Sequence, residues 1–189
     1  IEREGWDEAN RGGTGEYVVN NKKDKKLEKQ YNLLIKKLEN RRKINFQDFL
    51  QIRNFKSQVP IGFDKKKIET TIQIALKLAN SGNKEDNKLA LKKLYSLTGI
   101  DIPIASTILH FVYPNKYAIL DRYCWREARE HKKLSASFGY KSESAINNYF
   151  IYLDIIRSES KKSHKSLRDI EYSWFVKWRN KKKVLKWLF

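Results

Sequence analysis

The chain has 189 residues, enough for one substantial core or two small helical lobes, and its 40 Lys+Arg against 22 Asp+Glu give a net charge of +18. An excess that large stores self-repulsion and calls for an anionic partner, with nucleic acid first and an anionic membrane surface second. One cysteine, Cys124, and three scattered histidines, His110, His131 and His164, exclude a disulfide framework within the chain, a four-cysteine iron–sulfur cluster and a zinc site.

No apolar run approaches the roughly 18 residues of a membrane span. No basic-then-apolar leader opens the sequence, and with so little cysteine the expected compartment is the reducing cytoplasm, in association with the nucleoid.

Residues 1–23 are polar and contain Gly5, Gly12, Gly13 and Gly15, and read as a weakly packed arm preceding one helical domain over 24–189. From Lys25 to Glu39, the residues Leu27, Tyr31, Leu34, Ile35 and Leu38 recur at helical spacing. Phe46, Phe49, Leu50 and Phe55 predict a shorter helix, and Ser57–Phe63, with Pro60 and Gly62, predicts a loop. Asp64 caps the next helix, whose face carries Ile68, Ile72, Ala75, Leu76 and Ala79 and which Ser81-Gly82-Asn83 ends. Residues 84–96 follow as an amphipathic helix with Leu89, Leu91 and Leu94 expected to face inward.

Leu97–Ile102 breaks that helix, and Pro103 opens another that runs to Tyr113, where Pro114-Asn115 stops it. Further helices are predicted from Asp121 to His131, from Ser142 to Ser158 and from Ser166 to Asn180, with Lys181–Phe189 as a last short helix. Strand signals are scarce. The expected fold class is all-α, a two-lobed helical bundle.

The most informative stretch is the hairpin at 94–109. Gly99 supplies a backbone angle that a Cβ resists, Ala105 lets the second helix approach the first, and Leu94, Leu97, Ile100, Ile108 and Leu109 hold the pair together. Such a turn aims backbone N–H groups at the start of the second helix outward, a site suited to one phosphate and indifferent to base sequence. An ordinary helical hairpin that binds nothing has the same pattern. Downstream, Tyr117-Ala118-Ile119-Leu120 leads into Asp121-Arg122-Tyr123, and the last long helix carries Arg168-Asp-Ile-Glu171-Tyr-Ser-Trp174.

On the glycine hairpin, the extended segment ending in Asp121 and this final-helix pattern, the chain resembles the helix-hairpin-helix DNA glycosylase superfamily, and most closely its small bacterial members, from Phe46 to Trp178. The resemblance implies a glycosylase-like bundle, double-stranded DNA as partner, a monomer with no membrane attachment, and base excision in DNA repair or phage defence. It makes Asp121 the catalytic carboxylate. It implies DNA contact through Gly99, Ile100, Asp101, Ile102, Lys116 and Arg122, and a base pocket drawn from Phe55, Tyr123, Trp125, Glu171 and Trp174. The chain departs from the pattern at Asp101, where the family usually has a second glycine; its carboxylate either repels a phosphate or caps the Pro103 helix. Where lysine-bearing members place a catalytic lysine, this chain has Pro103, which implies a monofunctional enzyme that uses water. No cofactor is required by that chemistry, although the resemblance allows a monovalent cation on the carbonyls of Thr98 and Ile100.

Cleaving an N-glycosidic bond develops positive charge on the sugar, and a fixed carboxylate near C1′ stabilises it and orients the attacking water. Asp121 opening a helix is also an ordinary N-cap, and one residue can fill both roles. His110, among apolar residues, reads as a core or interface histidine. The alternatives are a non-catalytic helix-hairpin-helix module recognising distorted or modified DNA, and an RNA-binding or assembly protein whose charge is compositional.

Overall fold

The computed structural model describes residues 22–56, 64–132 and 144–187. The expected arm and the loop at Ser57–Phe63 fall outside those residues, apart from the arm's last two positions, which begin the first helix. Among the described residues there are eight helices and no strand: α1 (Lys22–Leu38), α2 (Phe46–Lys56), α3 (Lys65–Asn80), α4 (Lys84–Tyr95), α5 (Ile102–Val112), α6 (Arg122–Lys132), α7 (Ser144–Ser163) and α8 (Leu167–Trp187). No helix among them is long and apolar enough to cross a membrane.

The helix ends follow from local chemistry. Asp64 caps α3 by accepting from Lys67 N at 3.0 Å, and Asn83 caps α4 by accepting from Glu85 N at 2.8 Å. Gly82, at φ +80°, makes the αL turn between those two helices. Two expectations need correction. Leu89 is exposed, because the buried face of α4 is Asn87, Ala90, Leu91 and Leu94, and a residue two positions before Leu91 lies on the opposite side of the helix. The tail is not a separate short helix: α8 runs without a break to Trp187, since no glycine or proline interrupts it.

At the centre lies α5, all of whose residues from Ile102 to Val112 are buried. A helix apolar on every side needs neighbours all round, and α1, α2, α3, α4 and α7 surround it. Helices α6, α7 and α8 pack on one another beside it, and the buried side chains form one cluster reaching from Tyr31 to Trp174. The α6–α8 contact includes a buried polar lock. Glu127 accepts from Trp178 Nε1 at 2.6 Å and from Lys177 Nζ at 2.5 Å, and His131 Nε2 lies 3.1 Å away. Burial alone would raise the Glu127 pKa, but these hydrogen bonds and cations outweigh it and hold the carboxyl below its ordinary value.

Candidate functional site

The site grows out of an irregular segment. Between α5 and α6, Tyr117–Leu120 is buried without belonging to a helix. Buried backbone must find partners, and here side chains supply them. His110 Nδ1 meets Tyr117 O at 2.7 Å, the Tyr149 hydroxyl donates to Ala118 O at 3.0 Å, and the Tyr152 hydroxyl donates to Ile119 O at 2.6 Å. Ile119 N donates to Glu171 Oε2 at 3.2 Å, and Leu120 N donates to Ser106 Oγ at 3.1 Å. Three helices, α5, α7 and α8, thus clamp the peptides that deliver Asp121.

Asp121 is the N-cap of α6. Its Oδ1 accepts from Tyr123 N and Cys124 N, both at 2.8 Å, so one oxygen is fixed by the start of the helix. The other, Oδ2, lies 3.8 Å from Lys56 Nζ, and both side chains remain partly accessible, at 16% and 17%. They open onto a cavity of about 320 Å³. Helix α2 contributes Phe55 and Lys56, the start of α6 contributes Asp121, Arg122 and Tyr123, and α8 contributes Arg168, Glu171, Tyr172 and Phe175.

Glu171 forms the buried polar floor. One carboxyl oxygen takes the Ile119 N–H and the other takes Arg168 Nη1 at 2.9 Å. Burial pushes its pKa from an ordinary 4.5 up to about 7, against the lowering influence of Arg168 and Lys56, while Asp121 adds to the rise. The Arg168 guanidinium lies 4.1 Å from the Tyr31 ring centre and 4.7 Å from that of Tyr172. Tyr31 in turn meets His110 Nε2 at 2.9 Å. Burial lowers the His110 pKa from 6.5 to about 4. The ring is therefore neutral, and with Nδ1–H donating to Tyr117 O, Nε2 accepts the Tyr31 hydroxyl. His110 is thus a satisfied core histidine.

Comparison with protein-family models, curated proteins and solved structures found no match.

The remaining expected site residues divide into two groups. Phe55, Tyr123, Glu171 and Arg122 stand at the cavity with Asp121. Arg122 lies over the Tyr123 ring, 4.9 Å from its centre. Trp125 and Trp174 are core side chains, the latter stacked on His131 at 5.2 Å. Lys116 binds the Ala79 carbonyl at the end of α3, so its ammonium ties two parts of the fold together. At the hairpin, Gly99 has φ +75°, Ile100 and Ile102 are buried, and the Asp101 side chain accepts from Ile104 N at 3.0 Å. Asp101 therefore caps α5. The Ser106 hydroxyl donates to Pro103 O at 2.9 Å while accepting from Leu120 N, which joins the first turn of α5 to the residue before Asp121.

Lys56 and Arg168 were not singled out as cavity residues from sequence, nor were Tyr172 and Phe175. Arg168 and Tyr172 lie within the final-helix pattern, and Phe175 follows it on the same face of α8. Lys56 carried no signal beyond its place beside Phe55. Among the described residues no group of His, Cys, Asp and Glu is arranged to hold a metal ion.

Proposed function

We propose that the chain is a monofunctional DNA glycosylase with a glycosylase-like helix-hairpin-helix arrangement, which turns a modified base out of duplex DNA and hydrolyses its N-glycosidic bond. The observation that carries this reading is the posture of Asp121: one oxygen held by two backbone N–H groups, the other directed toward an aromatic-walled cavity large enough for a base. A base must leave the stack to reach such a carboxylate, and Phe55, Tyr123, Tyr172 and Phe175 offer it apolar surface.

In the reaction the C1′–N bond breaks and its electron pair leaves with the base. Asp121 Oδ2 faces the positive charge that grows on the sugar and takes the proton of the water that attacks C1′. Lys56 must first give up its contact with Oδ2, and a backbone phosphate of the flipped nucleotide offers it an alternative partner. The Gly99 turn would grip a second phosphate through backbone N–H groups, with Asp101 turned into its cap rather than toward that phosphate. The turn's hydrogen bonds run from Leu97 N to Leu94 O and from Ile100 N to Leu97 O. On this reading the carbonyls of Thr98 and Ile100 would be the ones to hold a monovalent cation, which would stiffen the turn.

The Lys56–Asp121 ion pair also supports a second reading, in which the pair is a structural lock and the chain is a non-catalytic module that binds distorted DNA near the nucleoid. Incubation with duplexes carrying a panel of modified bases, with and without alkali, separates the two. Strand breaks that appear after alkali alone support the hydrolase. Binding without any abasic product supports the module.

A further inference from the structure

The cavity contains two carboxyl groups in contrasting settings. Each is paired with a cation, but Asp121 is partly accessible and 3.8 Å from Lys56, whereas Glu171 is buried, with one oxygen on the Ile119 N–H and the other 2.9 Å from Arg168 Nη1. We propose, resting on the glycosylase reading, that Glu171 delivers a proton to the departing base, and that the cavity therefore takes bases that are neutral in DNA rather than alkylated bases that carry a positive charge.

The geometry argues for it in two ways. First, Glu171 lines the same cavity as Asp121, the acid that faces the sugar on this reading. A neutral base departs poorly as an anion and needs a proton on a ring nitrogen or exocyclic oxygen as the C1′–N electron pair arrives; a cationic base departs neutral and needs none. The balance is complete. Glu171 gives its proton to the base, water gives its oxygen to C1′ and its proton to Asp121, and Asp121 then returns that proton to Glu171 through solvent.

Second, the cavity is already supplied with cations. Lys56, Arg122 and Arg168 line it beside the two acids. Of the four aromatic rings that line the cavity, three already have guanidinium groups over them: Arg122 on Tyr123 at 4.9 Å, Arg168 on Tyr172 at 4.7 Å and Arg179 on Phe175 at 5.1 Å. A positively charged base would meet repulsion where an empty aromatic cage would offer attraction.

Burial favours a proton on Glu171 against the pull of Arg168 and the Ile119 N–H. Burial raises the Glu171 pKa to about 7. The groups around it are Arg168 on its own helix, Lys56 on α2, Asp121 and Cys124 at α6, Tyr31 on α1, and Tyr149 and Tyr152 on α7. The two cations oppose the rise and Asp121 supports it, and burial dominates. Two carboxyls whose environments drive their protonation apart suit complementary acid and base roles.

The test compares base classes on the wild-type protein. Duplexes carry uracil, hypoxanthine or 8-oxoguanine as neutral bases, and 7-methylguanine or 3-methyladenine as cationic ones, and each rate is divided by the rate of spontaneous release. The proposal expects at least one neutral base to be accelerated about a hundredfold more than either cationic one, with activity declining as pH rises through about 7. Glu171→Gln should lower release of the neutral base by about a hundredfold and abolish the decline above neutrality. Equal or greater acceleration of cationic bases overturns the proposal and leaves the glycosylase reading standing, as does a flat wild-type profile across pH 6–8. Release of no base at all overturns both. Should Glu171→Gln fail to fold, the base comparison and the wild-type profile still decide.

Discussion

Lys56 Nζ stands 3.8 Å from Asp121 Oδ2, across the mouth of a cavity whose floor is Glu171. The ion pair joins the last residue of α2 to the N-cap of α6, two positions far apart in the chain. It leaves Asp121 with one oxygen committed to backbone and one answerable to whatever displaces the ammonium. On the glycosylase reading, capping and chemistry would be divided between the two oxygens of one side chain.

That division separates stability from activity. Asp121→Asn keeps a good N-cap and should change unfolding free energy by less than about 0.5 kcal/mol, whereas Asp121→Ala should cost about 1 kcal/mol through the lost bonds to Tyr123 N and Cys124 N. Urea denaturation of the two variants checks this. Equal stability of the two would mean that the cap contributes nothing.

The segment before Asp121 depends on hydroxyl groups. Tyr152→Phe removes the donor to the buried Ile119 carbonyl and should destabilise the protein by about 1–3 kcal/mol, because that oxygen is left without water or partner. Thermal or urea unfolding measures the loss, and a neutral result would show that the carbonyl finds another donor.

Two buried groups set opposite limits on stability. Unfolded, Glu171 ionises above about 4.5, but folded it keeps its proton to about 7, so the native state binds more protons in that interval and its contribution to stability falls as pH rises from 4.5 to 7. His110 behaves in the opposite sense. The unfolded chain takes its proton below 6.5 and the folded chain only near 4, so stability falls as pH drops from 6.5 to 4. Glu171→Gln should therefore gain stability relative to wild type as pH rises from 4.5 to 8. Melting temperatures of both proteins across that range provide the check, and a constant difference would contradict it.

Much of this fold was legible in the sequence, for identifiable reasons. Helix faces such as Ile68, Ile72, Ala75, Leu76 and Ala79 repeat with the helical period, and Asp64 and Gly82 punctuate where capping chemistry requires. Leu89 misled because three leucines close together suggest one face, while Asn87 took the inward place: its Oδ1 accepts the hydroxyl of buried Tyr117. The candidate cavity was legible where it was local, at Asp121, and Gly99 was legible as a backbone turn, with φ +75°. Lys56 and Phe175 reach the Asp121 cavity only through tertiary packing, of α2 on α5 and of α8 on α6, and spacing along the chain does not encode that meeting. Trp125 and Trp174 were plausible pocket aromatics by type, but burial on the α6–α8 side gave them core positions.

The charge of +18 should act through phosphates. Exposed basic clusters at Arg41–Lys43 and Lys65–Lys67, with Lys161, Lys162 and Lys165, remain available for them. Affinity for unmodified duplex should fall steeply with salt, with a log–log slope of about −0.9 for each phosphate neutralised. Fluorescence anisotropy titrations from low to physiological salt measure that slope, and a slope near zero would assign the charge to solubility.

The most direct trial of the central claim is single-turnover base release by wild type and by Asp121→Asn on the same modified duplex, with binding measured in parallel. The account predicts an abasic product from the wild type, cleavable after alkali alone, and none from the variant, with DNA affinity no weaker than the wild type's because Lys56 is then free for a phosphate. Full release by the variant, or strand breaks from the wild type without alkali, would contradict it.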